Sequence, residues 1–209
     1  MKFDVERYLG AVERKVVAVE RDGQPARAVV LARNYDTTVD DLWDAITSAE
    51  RLPRWFAPVT GDLRLGGRYQ VEGNAGGTVT ECEPPKFFAL TWEFGGGVSW
   101  VEARVAEAGP GVSRLTLTHT AHISPHWEQF GPGAVGVGWE LGLLGLALYL
   151  ANPEAEKVGE AEFGASPDGK AFSRGSANRW GEAEIAAGEK PDVAQRRAKS
   201  TGDFYTGEA

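Results

Sequence analysis

The chain is poor in the residues that build metal and redox centres. It holds one cysteine, Cys82, and three histidines among 209 residues. No internal disulfide can form and no cysteine pair is available to zinc, a composition that suits a reducing compartment; a cytoplasmic location is expected. Cations are also in deficit, with 22 Lys+Arg against 30 Asp+Glu, a net charge of −8 and a pI of about 5.0. Nucleic acid is therefore not an expected partner, because phosphate binding needs clustered Lys and Arg. The first ten residues, MKFDVERYLG, place charges where a signal peptide would need an apolar stretch. No G-x-S-x-G is present, and Cys82 has no neighbour that marks a nucleophile. No cofactor, metal or catalytic residue is assigned.

Long apolar runs are scarce too. The single one is GVGWELGLLGLALYL over residues 136–150, with Glu140 its sole charge. At helical spacing Leu141, Leu144 and Leu148 form one stripe, Trp139, Leu143, Leu146 and Leu150 a second, and Gly138, Gly142, Gly145 and Tyr149 a third. A helix apolar nearly all round must be covered on most sides. Fifteen residues would span about 22 Å, short of a bilayer, so a buried helix is expected and a membrane is not. Glycines cost about 1 kcal/mol each in a helix interior. They imply a close backbone contact on that stripe or room for a ligand.

The remainder reads as the sheet that holds this helix. Two valine-rich runs, 12–20 and 26–35, flank an Asp22-Gly23 turn. In TTVDDLWDAI, Thr38 is placed to cap, Asp40 and Asp41 lie in the first turn, and Val39, Leu42, Trp43 and Ile46 share a face. A second short turn over 48–52 ends where Pro53 and Arg54-Trp55-Phe56 redirect the chain. From 61 to 121 the period is two, with strands expected at 68–72, 77–83, 87–94, 99–106 and 113–121 in an antiparallel meander. After Asn152-Pro153 the composition shifts. Ser166-Pro167-Asp168 and Pro191-Asp192 each open an amphipathic stretch, carrying Phe172 and Trp180, then Ala194, Ala198, Phe204 and Tyr205. The organisation expected is a core domain over 1–152 and a docked helical extension over 153–209.

Three constellations invite chemistry, and each has a plainer reading. His119, His122 and His126 all lie in HTAHISPH, but residues three apart on a strand point to opposite faces, so His119 is expected inward and the others at the surface. GPGAVG, 131–136, matches G-x-G-x-x-G, yet no strand follows the next helix as a dinucleotide fold requires. Its glycines are expected to shape a turn. Glu72 and Glu102, with Arg68 and Arg104, are expected as outer-face surface pairs.

Taken together, the stretches YDTTVDDLWDAITSAERLPRWF (35–56), GDLRLGGRY (61–69), GTVTECEPPKFFALTWEF (77–94), SRLTLTHT (113–120) and the 136–150 helix resemble the START-like SRPBCC superfamily. Within it the resemblance is to the domain of activators of heat-shock protein 90 ATPase, also described as polyketide-cyclase-like. It implies an α+β helix-grip fold, a curved antiparallel sheet around a long C-terminal helix with a cavity between them. It also implies three kinds of function: ligand binding, aromatase/cyclase activity, or co-chaperone action.

The residues themselves favour the first. Trp55, Phe56, Tyr69, Trp92, Trp100, His119, Trp139 and Tyr149 are more large rings than a plain core needs, and Tyr69, Glu102, Arg104 and His119 are the polar groups at hand. The expected partner is a small, largely apolar molecule. A second copy of the chain and a chaperone stand as alternatives.

Overall fold

The computed structural model describes residues 3–208. A short helix α1 (Val5–Gly10) leads into strands β1 (Val12–Arg21) and β2 (Gln24–Tyr35), followed by helix α2 (Val39–Thr47). Six strands follow: β3 (Val59–Gly61), β4 (Arg68–Val71), β5 (Gly76–Glu83), β6 (Phe87–Phe94), β7 (Gly97–Gly109) and β8 (Val112–His122). Helices α3 (Pro125–Phe130), α4 (Gly133–Ala151), α5 (Glu160–Ala165), α6 (Pro167–Ala186) and α7 (Pro191–Thr206) complete the chain. The strands form one curved antiparallel sheet in the order β1-β2-β8-β7-β6-β5-β4-β3, left open at β1 and β3. With its C-terminal helices this is the α+β helix-grip architecture. The five expected meander strands are all present; α1, α3, α5 and β3, of three to six residues, are too short to leave a periodic signature.

The chain separates into two compact units, each assembled from separate segments. One comprises the chain up to Leu31, residues 122–141, and the chain from Val158 onward. Here the β1–β2 hairpin turns through Asp22 and Gly23 at φ 51° and 73°, the pair of left-handed residues that matches the twist of the strands. Ser166 caps α6 by accepting from the Gly169 amide at 3.0 Å, and Phe172, Trp180, Leu9 and Val137 are all fully buried.

The glycines of GPGAVG have a specific cause in this unit. A Cβ on Gly136 would stand 2.3 Å from the Trp180 ring, one on Gly133 2.9 Å from Thr201, and one on Gly131 2.9 Å from Glu184. Gly131, at φ 60°, ends α3, whereas Gly133 and Gly136 already belong to α4. The motif is a bed for α6 and α7 rather than only a turn.

Helix α4 has 19 residues, about 28 Å, and alone among the described helices is long and apolar enough to cross a bilayer. The expectation drawn from fifteen residues was too short. Glu140 within it is 1% exposed and accepts from Arg14 Nε and Nη2, each at 2.6 Å. A buried carboxylate paired to a strand residue is a core feature.

The second unit comprises residues 32–121 and 142–157. Thr38 caps α2 by accepting from the Asp41 amide. Leu42, Ala45 and Ile46 are buried, and the half-buried Trp43 sets its ring edge-on to Phe88 at 6.0 Å. Val101, Ala103, Val105, Leu115 and Leu117 fill the centre of the sheet face. Tyr35 donates to the Leu143 carbonyl on the C-terminal half of α4 at 3.2 Å.

Candidate functional site

Strand register decides which of the expected residues can meet. Directly opposed residues of an antiparallel pair point to the same face, and faces alternate along each strand. The pairs Val79↔Leu90, Leu90↔Val101, Trp92↔Ser99 and Val101↔His119 put Trp92, Ser99 and His119 on one face. Tyr69 joins them through Gly77, two residues before Val79. The pairs Thr91↔Trp100, Ala89↔Glu102 and Phe87↔Arg104 put Trp100, Glu102 and Arg104 on the opposite face. There Arg104 lies over the Phe87 ring at 4.0 Å and is 3.4 Å from Glu102.

On the first face a lined patch forms. Tyr69, Val71 and Val79 are buried, and against them pack the half-buried Phe56, Leu63, Leu90 and Trp92, with Cys82. Trp92 meets the His119 ring edge-on at 6.2 Å. His119 Nε2 lies 2.8 Å from Ser99 Oγ, which donates to the Trp92 carbonyl at 3.2 Å. With the serine proton committed to that carbonyl, the consistent tautomer donates Nε2–H to the serine oxygen. Burial depresses the His119 pKa to about 4, so the ring is neutral at physiological pH. Tyr69 donates to the Thr91 carbonyl at 2.6 Å, and burial raises its pKa.

The turn after α2 supplies the rim. Trp55 donates Nε1–H to the Ala45 carbonyl at 2.9 Å, and its ring centroid lies 5.5 Å from that of Phe56. Two helix glycines lie beneath this turn. A Cβ on Gly145 would stand 2.5 Å from the Trp55 carbonyl oxygen, a contact only glycine permits, whereas one on Gly142 would meet the Trp55 and Phe56 rings at 3.9 Å, ordinary contact.

Trp55, Phe56, Tyr69, Trp92 and His119 thus line one side of this unit. Tyr149 does not join them. Its hydroxyl accepts from Arg51 Nε at 2.9 Å, and Arg51 is itself paired with Asp41 and Asp44. Trp139 is half-buried on α4 and belongs to the other unit. His122 Nε2 lies 3.0 Å from the Arg21 carbonyl, and His126 is exposed. Arg68 pairs with Glu93 across strands at 2.8 Å and not with Glu72. The reading from sequence missed Ser99, Leu90 and Cys82, whose membership follows from register alone.

A surface cleft of ≈ 390 Å³ lies elsewhere, between α6 and α7, walled by Arg174, Glu182, Gln195 and Lys199. It is the seam of the helical hairpin, with Ile185 and Ala198 also in its wall. Arg174 there is already held by Asp203 and Glu208.

Residues 36–151 match the family of Activator of Hsp90 ATPase homolog 1-like proteins. The match spans more than half of the chain, which therefore belongs to this family. Among solved structures it is similar to CalU16 from Micromonospora echinospora, at 31% identity over 83% of this chain and 98% of the other, with a TM-score of 0.68 to the crystal structure. The solution structure of CalU16 gives 0.71. DynU16, a protein of the dynemicin biosynthetic locus, shares the fold at 21% identity and a TM-score of 0.57, over 63% of this chain and 49% of that one. Comparison with curated proteins found no match.

Proposed function

We propose that this protein binds a small, largely apolar molecule on the face of its second unit lined by Phe56, Tyr69, Leu90, Trp92 and His119. One observation carries the reading: Phe56, Leu90 and Trp92 converge on the buried cluster of Tyr69, Val71 and Val79 yet remain only half-buried. Large rings that keep accessible surface, with one or two placed polar groups among them, are the usual make-up of a ligand site.

Proton-transfer catalysis is a poorer fit. His119 is depressed to about 4 and Tyr69 is raised, so neither titrates near the pH at which a general acid or base works best. The family description favours a second reading, stimulation of a chaperone ATPase, which needs an exposed patch and no ligand.

Titration with the apolar fluorophore phenylnaphthylamine tests the binding reading. The expected result is saturable binding that weakens about tenfold or more in Trp92→Ala and is unchanged in Trp100→Ala, on the opposite face. Equal loss in both variants, or no saturable binding together with stimulation of Hsp90 ATPase by the chain, would transfer the argument to the chaperone.

A further inference from the structure

We propose that two copies of this chain associate through strand β1, which pairs antiparallel with its own copy about a twofold axis at Val17. The proposal stands apart from the binding reading above. The sheet is open at two edges: β3 has three residues, whereas β1 has ten, VERKVVAVER, without a proline or a glycine. A long open edge is a template for a further strand.

Register fixes what this edge offers. The two-residue turn of Asp22 and Gly23 sets Arg21 opposite Gln24, hence Glu20 opposite Pro25 and Ala18 opposite Arg27. The Pro25 carbonyl accepts from the Ile123 amide, just beyond β8 on the other side of β2. Glu20, its opposite number, therefore turns its own amide and carbonyl outward, and so do Ala18, Val16 and Arg14 at steps of two. Among the described residues no backbone bond outside the sheet reaches these groups. Helix α6 packs on a face of the hairpin and not along its edge, since the Arg27 charge on β2 acts on Glu184. Beyond Val16 the strand is exposed except at the half-buried Val19, and Val17 is 43% exposed.

The strand's own sequence chooses the partner. Outward residues must pair with outward residues, so the axis of a self-pairing falls on a residue. With the axis at Val17, Glu13 comes opposite Arg21, Glu20 opposite Arg14, Val16 opposite Ala18 and Val17 opposite itself. Opposed ions and apolar pairs both favour an antiparallel ladder. Most of the ionic weight falls on Glu13 and Arg21, because Arg14 is already paired with Glu140. An axis at Ala18 would set Lys15 against Arg21, and one at Val16 would match no charges. A single strand pair buries less than a standard interface, so the dimer is weak and depends on concentration.

Sedimentation of the full-length chain over about a hundredfold range of concentration tests this. A monomer–dimer equilibrium is expected, weakened about tenfold or more by Ala18→Pro, which removes an outward amide and leaves the β1–β2 ladder intact. Glu13→Lys and Arg21→Glu should each weaken it, and the two together should restore it. Mild oxidation reads the register. Val17 and its copy oppose each other with Cα atoms about 4.5 Å apart, within disulfide reach, while Lys15 and its copy stand about 13 Å apart. Val17→Cys should therefore give a covalent dimer and Lys15→Cys should not, with the wild type, whose lone thiol is Cys82, as control. Should Ala18→Pro unfold the hairpin, the cross-link decides alone. A chain monomeric at every concentration would leave this edge to a strand of another protein. A dimer indifferent to Ala18→Pro, or cross-linked as well through Lys15→Cys as through Val17→Cys, would place the contact elsewhere. Each of these results overturns the proposal.

Discussion

At the scale of single residues, His119 and two helix glycines tie stability to the face that carries Trp92. The imidazole is protonated at about pH 4 in the fold against a normal value of 6.5. Between those two values the unfolded chain holds more protons than the folded one, so stability rises with pH across that window and is lost as pH falls through it. The full loss is about 3 kcal/mol. Denaturant unfolding of the wild type and of His119→Gln from pH 4 to 7 should show a shallower slope for the variant; identical slopes would mean that His119 is not buried as described. Gly142 and Gly145 make a matched pair three residues apart. Gly145→Ala drives a methyl into the Trp55 carbonyl and should cost about 1–3 kcal/mol. Gly142→Ala meets only ordinary contacts and should raise stability by up to about 1 kcal/mol through helix propensity while weakening the apolar probe. Thermal melts and probe titrations of the two variants check both halves.

What was legible at this scale was residue type, and what was not was direction. Trp92 and Trp100 look alike in the sequence, eight residues apart on strands joined by a glycine turn. Only the pairing Trp92↔Ser99, one step from Thr91↔Trp100, sends them to opposite faces, because a shift of one residue reverses every side chain of a strand.

At the scale of elements, α4 and the C-terminal hairpin explain each other. Capping at Thr38 and Ser166 and the Asp22-Gly23 turn were readable because local chemistry sets them. The start of α4 was not, since Gly133 and Gly136 serve tertiary contacts with Thr201 and Trp180 and suggest a loop to any local rule. Gly136→Ala should therefore destabilise by about 1–3 kcal/mol, despite the gain in helix propensity; a rise in melting temperature would contradict the packing described. The partner of Glu140 was likewise invisible from sequence, lying 126 residues away at Arg14. Arg14→Ala should cost about 3–5 kcal/mol by stranding a buried carboxylate, whereas Arg14→Met with Glu140→Leu should recover most of it. Denaturant midpoints of the single and double variants decide the matter.

At the scale of the whole molecule, the helix-grip architecture was recoverable because it is written in order and periodicity: a hairpin, a capped helix, five alternating strands, one apolar helix. The proposed binding site is written in a face, and a face emerges only when strands are in register. The central claim is that a small apolar ligand occupies the Trp92 face of the second unit. The chain carries seven tryptophans, each with an indole N–H that NMR resolves, assignable by single Trp→Phe variants. Titration of the full-length protein with phenylnaphthylamine should shift the Trp92 and Trp55 indole signals in a saturable way and leave those of Trp100 and the buried Trp180 in place. Shifts confined to Trp100, Trp139 or Trp180, or no saturable shift at any of the seven, would contradict it.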